Sequence, residues 1–400
     1  MIYLDHAATT PMNPVAIDAM QPYFNEIFTN PSAGYTASNP ARKLIRTSKE
    51  SLAQMINCEP DEIFFTSGGT ESDNQAIFSL AQDANEKRNI STVETPTAFS
   101  VAKTSPSKRH IITTNIEHPA VLEPIKELER RGFRVTYLPV DSEGFIKPQQ
   151  VADAICDDTL LISVMFANNE IGTIQPIGEI GKIAKEHRVF MHTDAVQAFT
   201  HETIDVKQMN IDLLSASAHK FGGPKGMGLL YISNRLMLKP FIFGGGQQGN
   251  MRSGTENVPG IAGMTAAAQD AIRNMNANGT YEKMLRDRLR DGLLANIHDV
   301  SVNGGWDRRL SNNLNVSIGG VEAETVLIEL DRVGILASGG SACATNTGKP
   351  SHVLRALGLN ERQIKGSIRF TVGPDNSVED IDSTIEHMRE IVERLRKFTL

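Results

Sequence analysis

Cysteine is scarce in this sequence: the 400 residues contain three, at positions 58, 156 and 343. So few cysteines, so widely separated, exclude a disulfide-stapled scaffold and argue against a zinc site. Cys58 and Cys156 lie beside apolar stretches, and we expect both to be buried hydrophobic side chains. Because a disulfide framework is absent, we predict a reduced, cytoplasmic location.

Long apolar runs and an excess of positive charge are also missing. No run approaches the roughly 18 residues needed to span a bilayer, and the first residues do not resemble a signal peptide. The net charge is −7, with acidic and basic residues mixed along the chain. The sequence therefore predicts neither a membrane segment nor direct binding of nucleic acid.

Apolar residues make up 40% of the chain, enough for about two domains. Strand and helix patterns alternate from residue 62 onward, which predicts a largely parallel sheet with helices on both faces. The predicted strands cover residues 62–66, 110–114, 134–140, 160–166, 189–193, 212–217 and 228–232.

After about residue 258 the pattern changes to a long helix, short strands and a terminal helix. We expect residues 15–258 to form a large domain, and residues 1–14 with 259–400 to form a smaller α+β domain. The terminal helix should begin at Ser377-Val378-Glu379-Asp380, a capping-box pattern. Residues 83–109 are polar and without periodicity, and we interpret them as an exposed insertion or lid.

Lys220 follows a short apolar run, in Ala216-Ser217-Ala218-His219-Lys220, and precedes a turn rich in glycine. Ligands of open α/β sheets bind beyond the carboxyl ends of the strands. Desolvation there can lower the pKa of a lysine and free its amine for Schiff-base chemistry. A solvated loop lysine is the ordinary alternative. The residues at the other strand ends decide which of these two interpretations is favoured.

Four further strand ends carry polar groups. Residues 67–72, Ser-Gly-Gly-Thr-Glu-Ser, join a strand to a helix and could hold a phosphate. Asp194 could cap a helix or pair with a protonated heterocyclic nitrogen, with Gln197 offering a hydrogen bond nearby. His118 precedes Pro119 and could stack on a ring and move protons. Residues 168–172, Asn-Asn-Glu-Ile-Gly, close another strand.

Two more residues stand out beyond this region. Cys343 lies in a loop of small residues with no core to fill, which favours an exposed and reactive thiol. Arg369 is flanked by apolar residues in a predicted strand and needs an anionic partner, a role that a substrate carboxylate could fill. Residues 243–249 match G-x-G-x-x-G formally, but without a following helix they do not predict a dinucleotide site.

These motifs, in this order, resemble those of the cysteine desulfurases, which are class V aminotransferase-like enzymes dependent on pyridoxal 5′-phosphate (PLP). The resemblance implies PLP fold type I, the aspartate-aminotransferase type, with a large mostly parallel-sheet αβα domain and a smaller α+β domain. The loop at about 336–352 resembles that of the long-loop group I enzymes. The matching segments are 4–10, 66–72, 168–172, 218–220, 251–255, 341–343 and 368–370.

The resemblance also implies a role for each site residue. Lys220 would form the covalent link to PLP, and Cys343 would receive the substrate sulfur as a persulfide. Asp194 would pair with the ring nitrogen, while His118 would stack on the ring and assist proton transfer. The remaining cofactor-binding residues would be Gly69, Thr70, Asn169, Gln197, Ser217, His219 and, from the partner subunit of a homodimer, Thr255. Asn169 and Arg369 would position the substrate carboxylate.

The implied reaction removes sulfur from L-cysteine and leaves L-alanine. The sulfur would pass to an acceptor protein, either an iron–sulfur scaffold or a tRNA-thiolating enzyme. A selenocysteine lyase would share every step, and an aminotransferase on the same scaffold would not need Cys343. A non-catalytic binding subunit of the same fold would not need Lys220, Asp194, His118 and Cys343 together.

Overall fold

The computed structural model describes residues 1–86, 108–339 and 350–398. In chain order its strands are β1 (Ile2–Tyr3), β2 (Ile63–Thr66), β3 (His110–Thr114), β4 (Arg134–Leu138), β5 (Thr159–Ser163), β6 (Phe190–Asp194), β7 (Leu213–Ser217), β8 (Gly228–Ile232), β9 (Val300–Val302), β10 (Asn313–Ile318), β11 (Ile335–Leu336), β12 (Ser338–Gly339) and β13 (Ser367–Thr371).

The helices follow the same numbering. They are α1 (Pro14–Met20), α2 (Pro22–Asn25), α3 (Asn39–Ile56), α4 (Gly69–Glu86), α5 (Pro119–Arg130), α6 (Pro148–Ala154), α7 (Ile177–Glu186), α8 (Val258–Asn296), α9 (Ala323–Arg332), α10 (His352–Ala356), α11 (Glu361–Lys365) and α12 (Val378–Phe398). Among the residues described, no helix combines the length and the apolar character that crossing a membrane requires.

The central sheet has seven strands in the order β2-β8-β7-β6-β5-β3-β4. Neighbours from β7 to β4 run parallel, whereas β8 is antiparallel to both β7 and β2. The largely parallel sheet predicted from the alternating pattern is therefore confirmed. The order also places the carboxyl ends of β3, β5, β6 and β7 side by side at one edge.

Helices cover both faces of this sheet. Successive residues of a strand point to opposite faces, and both sets of side chains are apolar here. Ile112, Ile162 and Leu214 pack into one apolar cluster together with side chains of α3, α7 and the first half of α8. Their neighbours Ile111, Leu161 and Leu213 pack on the other face against α4 and α5. The result is a three-layer αβα arrangement.

A second sheet, in the order β12-β13-β10-β9, is antiparallel throughout. Its apolar side chains form a separate cluster with α9, α12 and the second half of α8. Helix α8 contributes Ile261 to the first cluster and Leu289 to the second. A single helix therefore runs through both apolar clusters. The domain boundary near residue 258 stays a prediction.

Local sequence signals explain several element boundaries. Ser377 and Asp380 exchange the two hydrogen bonds of a capping box, at 3.0 and 3.1 Å, which confirms the predicted start of α12. The predicted strands 134–140 and 160–166 are shorter, ending at Leu138 and Ser163. The predicted insertion 83–109 is wrong at its start, where residues 83–86 continue α4. Residues 87–107 lie outside the described residues.

The two cysteines that the structure describes have different surroundings. Cys58 is buried in the apolar cluster beside α3, as predicted. The prediction for Cys156 is wrong: its half-buried thiol lies among polar groups, 2.6 Å from the Arg134 guanidinium and 3.0 Å from an Asp158 carboxylate oxygen. The apolar residues beside Cys156 in the sequence do not surround its side chain in space.

Candidate active site

One cavity of about 860 Å³ opens at the carboxyl edge of the parallel strands. Most of the site residues predicted from the sequence line it together: Gly69, Thr70, His118, Asn169, Asp194, Gln197, Ser217, His219, Lys220 and Arg369. Thr255 is exposed in the loop before α8 and does not line this cavity. Cys343 lies outside the described residues.

Lys220 ends a short 3₁₀ turn, Ala218–Lys220, directly after β7. Its half-buried Nζ donates hydrogen bonds to the carbonyl oxygens of Ala7 and Ala8, at 2.6 and 2.8 Å. The N-terminal arm is therefore a wall of the cavity, fixed by the pairing of β1 with β11. No sequence pattern predicted that backbone oxygens of the arm would contact this lysine.

Asp194 is the last residue of β6 and is buried beneath the cavity. Its Oδ1 accepts a hydrogen bond from the Val196 N–H at 2.9 Å. Burial, with a smaller contribution from the nearby carboxyl group of Asp73, raises the pKa of Asp194 to about 7. A cationic ring nitrogen placed against Asp194 would favour the ionised carboxylate, because an opposite charge stabilises the charged form.

His118 occupies the N-cap position of α5, where its Nδ1 accepts a hydrogen bond from the Ala120 N–H at 3.1 Å. Because Nδ1 is an acceptor, the proton of the neutral ring resides on Nε2. Burial lowers the pKa of His118 to about 4, with smaller effects from Lys220 and His352. The ring is therefore neutral near pH 7, and its Nε2–H can donate a hydrogen bond.

The turn before α4 has the close approach that a phosphate site requires. A Cβ on Gly69 would lie 2.6 Å from Val196 Cγ2 and 3.6 Å from Ser217 Cβ. Unless Val196 moves, only glycine fits at this position. The free N–H groups of a helix N-terminus favour an anion. With Asp194 and Lys220 in the same cavity, these residues fit a phosphorylated heterocyclic aldehyde such as PLP.

Arg369 on β13 is buried, with 1% of its surface exposed. Its Nη1 donates to the Asn169 carbonyl oxygen at 2.9 Å, and its Nη2 forms a 2.7 Å salt bridge with Asp5. The anionic partner that the sequence required is thus Asp5 in this structure. Arg369 Nε is buried as well and has no hydrogen-bond partner among the described residues.

Three further carboxyl groups lie close to the cavity and were not assigned from the sequence. Burial raises the pKa of Asp73 and of Glu170 to about 7, and that of Glu117 to about 8. Glu170 accepts a hydrogen bond from the Ser351 hydroxyl at 2.6 Å. Glu170 belongs to the segment 168–172 identified in the sequence, and Glu117 directly precedes His118. Nothing in the local sequence distinguishes such a buried carboxyl group from an exposed one.

His352 also lines the cavity. No sequence pattern identified it as a site residue. Its Nε2 is 2.9 Å from the Glu117 carbonyl oxygen and donates to it. His352 is the first residue of α10, three positions after the segment 340–349, which lies outside the described residues. Arg252 forms a 2.8 Å salt bridge with Glu71, and this contact joins the segments 251–255 and 66–72 identified in the sequence.

Comparison with known proteins agrees with this geometry. The family model for class V aminotransferases matches residues 2–384. A cysteine desulfurase IscS of Clostridium botulinum strain Hall is 46% identical over 400 residues, which cover all of this chain and 96% of that protein. One from Methanosarcina thermophila is also 46% identical, over all of this chain and 93% of that protein.

Solved structures show the same similarity. A NifS-like protein superposes with a TM-score of 0.88 at 34% identity, covering 98% of this chain and 99% of that chain. A structure described as SspA in complex with cysteine gives a TM-score of 0.77 at 36% identity, covering 94% of this chain and all of that chain.

The chain belongs to the class V aminotransferase family, with PLP fold type I. The similarity to cysteine desulfurases extends over the whole sequence. Within the family this chain is a PLP-dependent cysteine desulfurase.

Proposed function

We propose that the cavity holds PLP and L-cysteine together, with the residues in the roles given below. The observation that supports this assignment is the convergence of Lys220, Asp194, His118 and the Gly69 turn on one cavity. When bound, PLP links covalently to amines and draws electron density away from the adjacent carbon. Gly69, Thr70, Ser217 and His219 hold the phosphate, and Asp194 keeps the ring nitrogen protonated.

Lys220 supplies the amine that anchors the cofactor and then moves the proton of the substrate Cα. Its bonds to the Ala7 and Ala8 carbonyl oxygens keep Nζ at the wall of the cavity. Gln197 already donates to the Ala7 oxygen at 3.1 Å, and its second amide hydrogen is directed to the phenolic oxygen of the ring. His118 stacks on the ring and assists proton transfer beside Lys220. Proton transfer by one such group contributes on the order of 10²–10⁴ in rate.

Arg369 and Asn169 orient the substrate carboxylate. The Arg369 guanidinium donates to the carboxylate, while Asp5 and the Asn169 carbonyl oxygen hold that guanidinium in place. A contact of the guanidinium with both carboxylate oxygens requires Asp5 to share Nη2 with the substrate.

The sulfur leaves through Cys343. Its thiolate attacks the substrate sulfur, the Cβ–S bond breaks, and the electron pair of that bond stays with the three-carbon fragment. Lys220 returns the Cα proton, and the proton released by the Cys343 thiol, whose transfer His118 assists, completes L-alanine. The sulfur remains on Cys343 as a persulfide. The loop at 336–352 carries the sulfur to an acceptor, which we propose is an iron–sulfur scaffold or a tRNA-thiolating enzyme. The cytoplasmic location stays a prediction.

The test supplies L-cysteine to the wild type and to Lys220→Ala and Cys343→Ala, and follows alanine and sulfide separately. Lys220→Ala should lose the covalent cofactor and all turnover. Cys343→Ala should keep the cofactor absorbance but release no sulfur. Lys225→Ala, at an exposed lysine of the same turn, and Cys58→Ala are the matched controls. Full alanine and sulfide production in Cys343→Ala would refute the role of the thiol.

We further propose a homodimer in which Thr255 contributes to the partner's cavity. Thr255 is exposed and outside the cavity of its own chain, and several large apolar side chains nearby are also exposed, with Phe243 at 76% and Met237 at 68%. Patches of this kind mark protein interfaces. A symmetric dimer would bury them twice.

Subunit mixing tests the origin of Thr255. Thr255→Glu, which places a carboxylate against the phosphate, and Lys220→Ala should each be inactive alone. Equal amounts unfolded and refolded together should recover about a quarter of wild-type activity, because half of the dimers are mixed and each has one intact site. If Thr255 acts within its own chain, no activity returns.

A further inference from the structure

A second group of potential ligands lies at the amino-terminal edge of the central sheet, the edge opposite the cavity. His110 is the first residue of β3, and Cys156 and Asp158 lie in the turn that leads into β5. One potential ligand atom from each residue lies within 4.8 Å of the other two. Cys156 lies 46 positions after His110 in the sequence, so the cluster becomes visible only when β3 pairs in parallel with β5.

The distances are close to those of a tetrahedral zinc site. Cys156 Sγ lies 3.2 Å from His110 Nδ1 and 3.0 Å from Asp158 Oδ1. Zinc bonds of about 2.3 Å to sulfur and about 2.1 Å to nitrogen or oxygen place tetrahedral ligands roughly 3.5 Å apart. Cys156 Sγ therefore needs to move away from each of the other two atoms by only about 0.5 Å or less to accommodate the ion.

The histidine is already held in a suitable orientation. His110 is buried, and its Nε2 lies 2.8 Å from the Thr136 hydroxyl. A metal-bound histidine typically donates its other ring N–H to such an oxygen. With the proton on Nε2, Nδ1 presents its lone pair to Cys156 Sγ and to the Thr159 hydroxyl, which is 2.9 Å away.

The turn that carries the other two ligands is also well defined. The Cys156 N–H donates to Thr159 Oγ1 at 2.9 Å, and the Thr159 N–H donates to the Cys156 carbonyl oxygen at 2.9 Å. These bonds close the turn from 156 to 159. The sulfur and the carboxylate therefore do not have to be ordered by the metal itself.

A positive charge already occupies this position. Arg134 Nη2 lies 2.6 Å from Cys156 Sγ and 2.8 Å from Asp158 Oδ1. The Arg134 side chain is 54% exposed, so it can turn outward into solvent. A thiolate, a carboxylate and a neutral imidazole carry two negative charges, which balance one Zn²⁺ when the guanidinium has withdrawn.

We propose that His110, Cys156 and Asp158 bind one zinc ion, with water in the fourth position and Arg134 as the competing cation. A mixed nitrogen, sulfur and oxygen set is typical of zinc, whereas magnesium and calcium prefer oxygen alone. The ion would join the starts of β3 and β5 and would take no part in the desulfuration.

The test is a zinc titration of the full-length, PLP-loaded enzyme against a chromophoric chelator. All proteins carry Cys343→Ser, so that the thiol proposed for the active site does not compete for the metal. One equivalent of zinc should bind to this parent protein, and Cys156→Ala should lose that equivalent. Asp158→Asn should weaken binding at least tenfold. Cys58→Ala, which removes a buried thiol elsewhere, should bind as the parent does.

Arg134→Gln supplies the sharpest comparison. Removal of the competing charge should tighten zinc binding about tenfold, whereas a variant that merely damages the fold would weaken it. Equal zinc stoichiometry in the parent and Cys156→Ala would overturn the proposal. So would the absence of bound zinc in both the parent and Arg134→Gln.

Discussion

Gly69→Ala tests how closely the proposed phosphate turn is packed against the strand end that carries Asp194. The added methyl group would lie 2.6 Å from Val196 Cγ2, about 1 Å inside ordinary van der Waals contact. Val196 cannot give way without consequence, because its N–H donates to Asp194 Oδ1. The substitution therefore affects both ends of the proposed cofactor site.

The expected magnitude follows from two opposed effects. Overpacking of this kind costs about 1–3 kcal/mol, whereas alanine in place of glycine within a helix returns about 0.5–1 kcal/mol. For PLP binding there is a further loss: a displaced turn gives up a hydrogen bond to the charged phosphate, worth about 1.5–3 kcal/mol. We expect PLP affinity to fall by about 10- to 100-fold, while the free energy of unfolding without PLP changes by about 1 kcal/mol.

Val196→Ala provides the rescue. It removes the clashing Cγ2, and Val196 Cβ is 3.9 Å from the added methyl group, an ordinary contact. PLP titration of the cofactor-free protein should show the double variant within a fewfold of the wild type. Gly34→Ala is the matched control, since no atom of the described residues lies within 4 Å of a Cβ there. A double variant as weak as Gly69→Ala would refute the packing argument.

Three further predictions concern stability. Burial raises the Glu117 pKa to about 8, so its stabilising effect is complete below the unfolded pKa and is lost as pH rises through 8. Between pH 7 and 9 the cofactor-free wild type should lose about 1 kcal/mol more than Glu117→Gln in urea unfolding, and parallel pH profiles would contradict this. Asp5→Asn should destabilise the protein by about 3 kcal/mol, since it leaves the buried Arg369 charge without its partner. An unchanged urea midpoint would refute that estimate. Ser377→Ala should cost about 1 kcal/mol through the lost cap of α12, and Ser383→Ala, farther along the same helix, should cost less.

Much of the site could be predicted because each polar group follows a recognisable strand. His118 precedes a proline that starts α5, Asp194 closes β6, and Lys220 follows β7. Parallel strands bring their carboxyl ends to one edge, so local patterns sufficed to place these side chains near one another. The three-layer αβα arrangement follows from the same alternation of strands and helices.

Contacts between distant segments could not be predicted in this way. The pairing of Asp5 with Arg369 spans 364 positions and depends on the arm lying beside β13. The burial of Glu117 and the polar surroundings of Cys156 likewise depend on which elements pack around them. Local sequence describes a residue's chain neighbours, whereas burial and electrostatic partners are set by its spatial neighbours.

The sequence by itself determined the alternation of elements, the capping of α12, the set of reactive side chains and the family. Only the tertiary structure decided that the Ala7 and Ala8 carbonyl oxygens accept hydrogen bonds from Lys220 and that Asp5 forms a salt bridge with Arg369. It also decided that a thiol, an imidazole and a carboxylate lie together at the amino-terminal edge of the sheet. The reason is physical. Hydrogen-bonding capacity and charge belong to the residue, but desolvation and pairing energies depend on distances that the chain acquires when its strands take their order and register.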